Sequence, residues 1–425
     1  MLYYAKGSSE TVLASEDIQA GVVSALDQLG KRNKVLVLPP DFTRYHSGAG
    51  RITSYIWSYY GSALTDILPA LGTHAPMTDE EIRKMFPRVP RDLFRVHNWR
   101  KDLETLGTVP ASFVRKVSAG IIDYSWPAQV NPLVSGGGHD VILSVGQVVP
   151  HEVVGMANHN KNIFIGTGGT DGINKSHFLG AAYGMERLMG KTETPVRKVL
   201  NYASAHFSSH LPIVYILTVV APDSSGRLVC RGLFIGDGFE CFEKAAALSL
   251  DVNFTVEREP VKKAVIYLDP EEYKSTWLGN KAIYRTRMLI ADRGELVILA
   301  PGVRDFGEDP EIDKIIRKYG YLGSKKILSL AKSEKELSEN LSAAAHLIHG
   351  SSEGRFTITY CPGGLSRQEI KSVNFNYASL EEMEKKYNPK ALKEGWNTLS
   401  RGEKVYFISN PAVGLWADKH RIYDL

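Results

Sequence analysis

Lys34-Val35-Leu36-Val37-Leu38-Pro39-Pro40-Asp41-Phe42-Thr43-Arg44 is the stretch that decides the fold. Val35 to Leu38 is apolar without alternation, the mark of a strand buried on both faces, as in parallel sheets covered by helices. Pro39 and Pro40 end the strand. Asp41, Thr43 and Arg44 therefore fall on a loop at its carboxyl end, where open α/β sheets bind ligands. Further apolar runs predict strands over 140–145, 162–166, 211–220, 256–260, 264–268, 295–300 and 355–360. Helical periodicity appears over 53–71, with Ile56, Tyr60, Leu64, Ile67 and Leu71 on one face. It returns over 238–252, 278–290, 309–318 and 333–347. Strands alternating with helices predict an α/β protein: two α/β domains with largely parallel sheets and an active site in the cleft between them. The expected domains are 1–260 and 261–403, with a tail, 404–425, returning to the first domain through a strand at 404–408.

Composition narrows the function. With 425 residues, one core is too few and two domains are expected. Apolar content of 43% and charged content of 23% are those of a soluble globular chain. The formal charge of +4 is small, and Lys and Arg are interspersed with Asp and Glu. No basic stripe for nucleic acid stands out. No apolar run is long enough to span a bilayer, and the first residues lack a signal peptide's apolar core. The three cysteines, Cys230, Cys241 and Cys361, show no CxxC spacing, so disulfides and zinc-thiolate sites are not expected. A small-molecule partner and a cytoplasmic setting fit these features.

Chemistry concentrates on glycine-rich turns. Gly72-Thr73-His74-Ala75-Pro76 precedes Thr78-Asp79-Glu80-Glu81, a capping box that opens a helix. Pro150-His151-Glu152 leads to Gly155, then Lys161, then glycines 166, 168, 169 and 172, then His177. Any one of the 12 histidines is more often structural than functional. Three on turns with a lysine favour proton transfer or metal binding. Successive N–H groups of the glycine-rich turn can hold an anion, but the pattern is neither a Walker nor a Rossmann loop. Arg44 presents a fork suited to a carboxylate, although an Asp41–Arg44 pair that merely orders the turn is the plainer alternative. A lone lysine such as Lys161 is ordinarily solvated.

Taken together, these loops resemble the nickel-pincer-dependent lactate racemase superfamily, the 2-hydroxy-acid racemases and epimerases. The resemblance rests on Asp41/Thr43/Arg44, on Gly72-Thr73-His74 with Met77-Thr78, on Pro150-His151 with Gly155, and on Lys161 and His177. It extends to Lys281 within Gly279-Asn280-Lys281-Ala282. It implies a nickel-pincer nucleotide tethered at Lys161 and contacted by Asp41 and Thr43, with His177 as the nickel ligand. It implies His74 and His151 as the two catalytic bases, Arg44 and Lys281 as binders of the substrate carboxylate, and a dependence on cofactor-biosynthesis proteins. Two segments depart from the family. Gly155-Met156-Ala157-Asn158-His159-Asn160 stands where relatives of lactate racemase carry Gly-Phe-Ser-Gly-Gly, and Leu278 stands where lactate racemase has glutamine. With Asn158, His159, Asn160 and Asn280 as hydroxyl-binding groups, they favour a sugar acid such as mannonate or gluconate. Lactate or another short 2-hydroxy acid is the alternative. A zinc or manganese hydrolase and a non-catalytic anion-binding protein are further readings of the same residues.

Overall fold

The computed structural model describes residues 1–223, 225–400, 402–412 and 414–423. The chain forms two compact units, Met1–Leu179 with Met189–Asn253, and Gly180–Leu188 with Phe254–Leu425. In the first, six strands lie in the order Leu2–Gly7, Leu228–Gly236, Ile213–Pro222, Val141–Gln147, Val35–Leu38, Leu64–Ile67. The last four pair in parallel, and the first two close the edge with antiparallel pairings. Val35 to Leu38 are fully buried. The helix Ser15–Leu29 packs Ile18, Val22, Ala25 and Leu26 into the same core as Ile52 and Ile56 of the helix Ala49–Tyr60.

Two local expectations fail in this unit. The helix expected over 53–71 ends at Tyr60. Gly61 takes a left-handed φ of 55°, and Leu64–Ile67 becomes a strand beside Val35–Leu38. Its apolar spacing suits a helix, but the open edge of the sheet claims the second half. The strand expected over 162–166 is a π-helical turn, Asn162–Gly166. A short buried apolar run does not distinguish helix from strand by periodicity. The antiparallel strands Leu2–Gly7 and Leu228–Gly236 are absent from the sequence expectations, and a bulge between Cys230 and Gly232 breaks the latter's pattern.

The second unit carries a six-stranded sheet in the order Asn376–Tyr377, Thr357–Pro362, Ile290–Ala300, Val261–Tyr267, Lys404–Ile408, Gly395–Thr398. All neighbours are parallel except the last pair. The tail does not return to the first sheet. Lys404–Ile408 pairs with Ala264–Ile266, because its buried run Val405 to Ile408 completes this core, and Leu415–Asp418 pairs with Phe254–Glu257. Of that expected tail, Val413, Asp424 and Leu425 lie outside the described residues. The helix expected over 278–290 is two single turns, Thr276–Gly279 and Lys281–Tyr284, before the strand Ile290–Ala300. The one expected over 333–347 is divided into Lys335–Glu339 and Leu341–His349, and a separate helix, Ser324–Ser333, precedes them. The three cysteines are free thiols, and no helix among the described residues is long and apolar enough to cross a membrane.

Candidate active site

The carboxyl ends of the first unit's central strands organise the site. Past Val35–Leu38, Asp41 caps the 3-10 turn Phe42–Ser47, accepting from the Thr43 backbone N–H at 3.1 Å and the Thr43 hydroxyl at 2.5 Å. Its other carboxylate oxygen meets His74 Nδ1 at 2.5 Å. The carboxylate is buried while the imidazole is half exposed. Burial alone would raise the Asp41 pKa. The hydrogen bonds and charge of His74, the Thr43 hydroxyl and the Arg44 charge outweigh it, and the net shift is downward. Asp41 therefore orders more than a surface turn with Arg44: as the anion, it holds a proton on His74 Nδ1 and leaves Nε2 on the far side of the ring.

The His74 turn is tied to the lysine segment. Gly72, at φ 58°, donates its N–H to the Gly166 carbonyl at 2.9 Å. Asn162, next to Lys161, donates to the Leu38 carbonyl at 3.2 Å and to the Ser144 hydroxyl at 3.0 Å. Lys161 is thereby held beside the ends of two adjacent strands. Burial and the Arg44 charge push its ammonium down to about 8, with Glu152 and Asp41 acting the other way. His177, on the helix Thr170–Tyr183, donates from Nδ1 to the Ile173 carbonyl at 2.8 Å, which leaves Nε2 as the lone-pair nitrogen. Burial lowers its pKa, and the nearby charges of Lys161 and His74 lower it further against Glu152. Asp41, Arg44, His74, Glu152, Lys161 and His177 thus share one electrostatic neighbourhood.

His151 lies in the short hairpin formed by Pro150–His151 and Gly155–Met156. Its Nδ1 accepts the Val153 N–H at 3.1 Å. Glu152 Oε2 sits 3.7 Å from that nitrogen, which would make an ion pair only if Nδ1 carried a proton. The shorter contact requires the lone pair, so the neutral ring carries its proton on Nε2. Nδ1 of His74 thus donates while Nδ1 of His151 accepts.

Several supports were not legible in the sequence. Arg197, fully buried, donates to the Met156 carbonyl at 2.5 Å, the Asn158 carbonyl at 3.2 Å, and the Asn160 side-chain oxygen. It pins the loop before Lys161, where Asn158 and His159 both take left-handed φ angles. His97 accepts at Nδ1 from Asn131 at 3.1 Å and donates from Nε2 to the Gly168 carbonyl at 2.9 Å, supporting the turn ahead of His177.

The expected hydroxyl-binding residues are placed otherwise. Asn160 donates to Asn201 and Ser204 besides receiving Arg197. The Asn158 oxygen accepts from the His159 N–H at 2.7 Å. The His159 ring is buried against Tyr215, Phe239 and Phe242. Asn280 is fully buried in the second unit, beside His346. Lys281 also belongs to the second unit, at the start of the turn Lys281–Tyr284, with its ammonium 5.7 Å from the Tyr273 ring centre. Among the described residues no group of three or more His, Cys, Asp or Glu is placed to hold a metal ion.

Comparison with known proteins bears on the family and the fold. Residues 18–187 match the family described as the lactate racemase N-terminal domain. No curated protein sequence matches the chain. A crystal structure of a Thermotoga maritima protein from a structural genomics consortium superposes with a TM-score of 0.81 at 25% identity, covering 96% of this chain and 99% of that one. The lactate racemase apoprotein from Thermoanaerobacterium thermosaccharolyticum superposes with a TM-score of 0.71 at 16% identity, covering 97% and 94%, a likeness of fold.

Proposed function

We propose that this chain, a member of the lactate racemase-like superfamily through residues 18–187, is a racemase or epimerase that inverts the hydroxyl-bearing carbon of a 2-hydroxy acid. The observation that carries this reading is the engagement of both imidazoles through Nδ1, His74 by the Asp41 carboxylate and His151 by the Val153 N–H. Inversion through a 2-keto acid needs one group to take the hydroxyl proton and another to return a proton after the face has changed. His74, with Nδ1–H held by Asp41, offers a lone pair on Nε2 and suits the first task. His151, engaged at Nδ1 by the Val153 N–H, is the second proton-handling group that the resemblance supplies, and it returns a proton only from its doubly protonated form. In the reverse direction the two exchange roles. Arg44 offers a planar fork for the carboxylate, and Lys281 is the further carboxylate ligand that the resemblance supplies.

The residues fit a nickel-pincer nucleotide. Lys161 has an amine whose charge is disfavoured by burial, as a covalent tether requires, and Asp41, which Thr43 holds by its hydroxyl, acts on that charge. His177 presents one lone-pair nitrogen as a single protein ligand for nickel. When bound, that group supplies the hydride acceptor. The donor set does not favour a zinc or manganese hydrolase, whose metal takes about three protein ligands.

The finer reading, an aldonate such as mannonate or gluconate, rests chiefly on Leu278, since the side chains of Asn158 and Asn160 are hydrogen-bonded within the protein and Asn280 is buried beside His346. The test is turnover by protein purified anaerobically from cells that make the cofactor. D-gluconate, D-mannonate and both lactates are supplied, and C2 epimers are separated by chiral chromatography. Interconversion of any of these acids supports the class, and none by nickel-loaded protein contradicts it. Equal turnover of lactate and gluconate removes the aldonate preference.

A further inference from the structure

In the second unit a buried polar chain runs up to the segment that carries Lys281. The Thr276 hydroxyl donates to the Phe306 carbonyl at 2.9 Å and lies 2.9 Å from the Tyr321 hydroxyl, which in turn lies 2.9 Å from His346 Nε2. Each hydroxyl has one proton. Only one arrangement places a proton in all three contacts: Thr276 donates to Phe306, Tyr321 to Thr276, and His346 Nε2–H to Tyr321. Burial pushes the His346 pKa down to about 3, so the ring is neutral and that tautomer is fixed by the chain.

The same imidazole touches the segment once more. It stacks on Trp277 with ring centres 4.5 Å apart; the Asn280 side-chain nitrogen lies 3.5 Å from its Nε2, but two donors facing each other make no hydrogen bond there. The backbone is clamped from the other side, where Thr276 and Trp277 donate to the Asp305 and Phe306 carbonyls at 3.0 and 2.9 Å. Glycine is required here. A Cβ on Gly279 would come within 2.6 Å of the Tyr360 hydroxyl, and one on Gly350 within 2.5 Å of the Asn280 side chain. Fixed points at Thr276 and Trp277 set the turn from which Lys281 begins.

We propose that His346 and Tyr321 are positioning residues that fix the Thr276–Asn280 turn and thereby the place of the Lys281 ammonium. This rests on reading Lys281 as a ligand of the substrate carboxylate. The test compares His346→Leu, His346→Gln, Tyr321→Phe and Lys281→Met in cofactor-loaded protein, with hydrogen exchange of the peptide covering 276–284 as a second readout. The expected result for His346→Leu is a KM at least tenfold higher, kcat within about threefold, and faster exchange confined to that peptide. Gln, which keeps a donor at the same reach, should recover most of the loss, and Tyr321→Phe should fall between. If Lys281→Met raises KM but His346→Leu changes neither KM nor exchange, the positioning role is overturned. If Lys281→Met leaves KM unchanged, or wild-type protein turns over no 2-hydroxy acid, the reading of Lys281 itself falls.

Discussion

The substitution Asp41→Asn should separate proton handling from folding. The amide oxygen of the new side chain can still accept from the Thr43 N–H and hydroxyl, and asparagine caps a helical turn as well as aspartate. The turn should therefore persist, with the melting temperature close to wild type. What changes is the contact at 2.5 Å with His74 Nδ1. An amide N–H facing that nitrogen would donate to it, move the ring proton to Nε2, and remove the outward lone pair. A hydrogen bond involving a charged group contributes about 1.5–3 kcal/mol. At about 1.4 kcal/mol per decade, losing it at the transition state should lower kcat/KM roughly ten- to a hundredfold. The assay is C2 inversion by cofactor-loaded protein, with His74→Ala as the reference for complete loss. A value of kcat/KM within threefold of wild type, in a variant whose His74→Ala counterpart is inactive, would refute the tautomer argument.

Other residues make separate claims. Arg197→Met strips the donors from the Met156 and Asn158 carbonyls and the Asn160 oxygen, and should cost about 2–4 kcal/mol in denaturant unfolding. Gly168→Ala would place a Cβ 1.8 Å from the Phe164 carbonyl oxygen, so the backbone must shift. A stability loss of about 1–3 kcal/mol with reduced nickel retention is expected. The Lys161 amine, pushed down to about 8, gains its proton as pH falls through that value. Its acylation by acetic anhydride, followed by peptide mass spectrometry, should show a midpoint near 8, below that of exposed lysines, and Arg44→Met should raise it.

What the sequence revealed followed from how local each signal was. Val35–Leu38 was legible because a strand buried on both faces needs apolar residues at every position. Asn162–Gly166 carries the same signal and is a helical turn, since its neighbours Leu38 and Ser144, rather than its composition, hold it there. The loops bearing His74, Lys161 and His177 could be picked out by glycines and spacing. The Asp41–His74 contact joins residues 33 positions apart and has no local sign. Arg197 was invisible for the same reason: an arginine buried against carbonyl oxygens looks, in sequence, like any surface arginine on a helix. The asparagines before Lys161 misled in the opposite direction, because polarity near a site does not reveal whether a side chain faces ligand or protein.

The proposed chemistry depends above all on Lys161 and His177 holding a nickel-bearing cofactor. The decisive measurement is nickel content and intact mass of protein isolated anaerobically from cells that synthesise the pincer nucleotide. Near-stoichiometric nickel, lost in His177→Ala, with added mass mapped to the peptide containing Lys161, is the predicted result. Protein from the same cells with neither nickel nor added mass would contradict it.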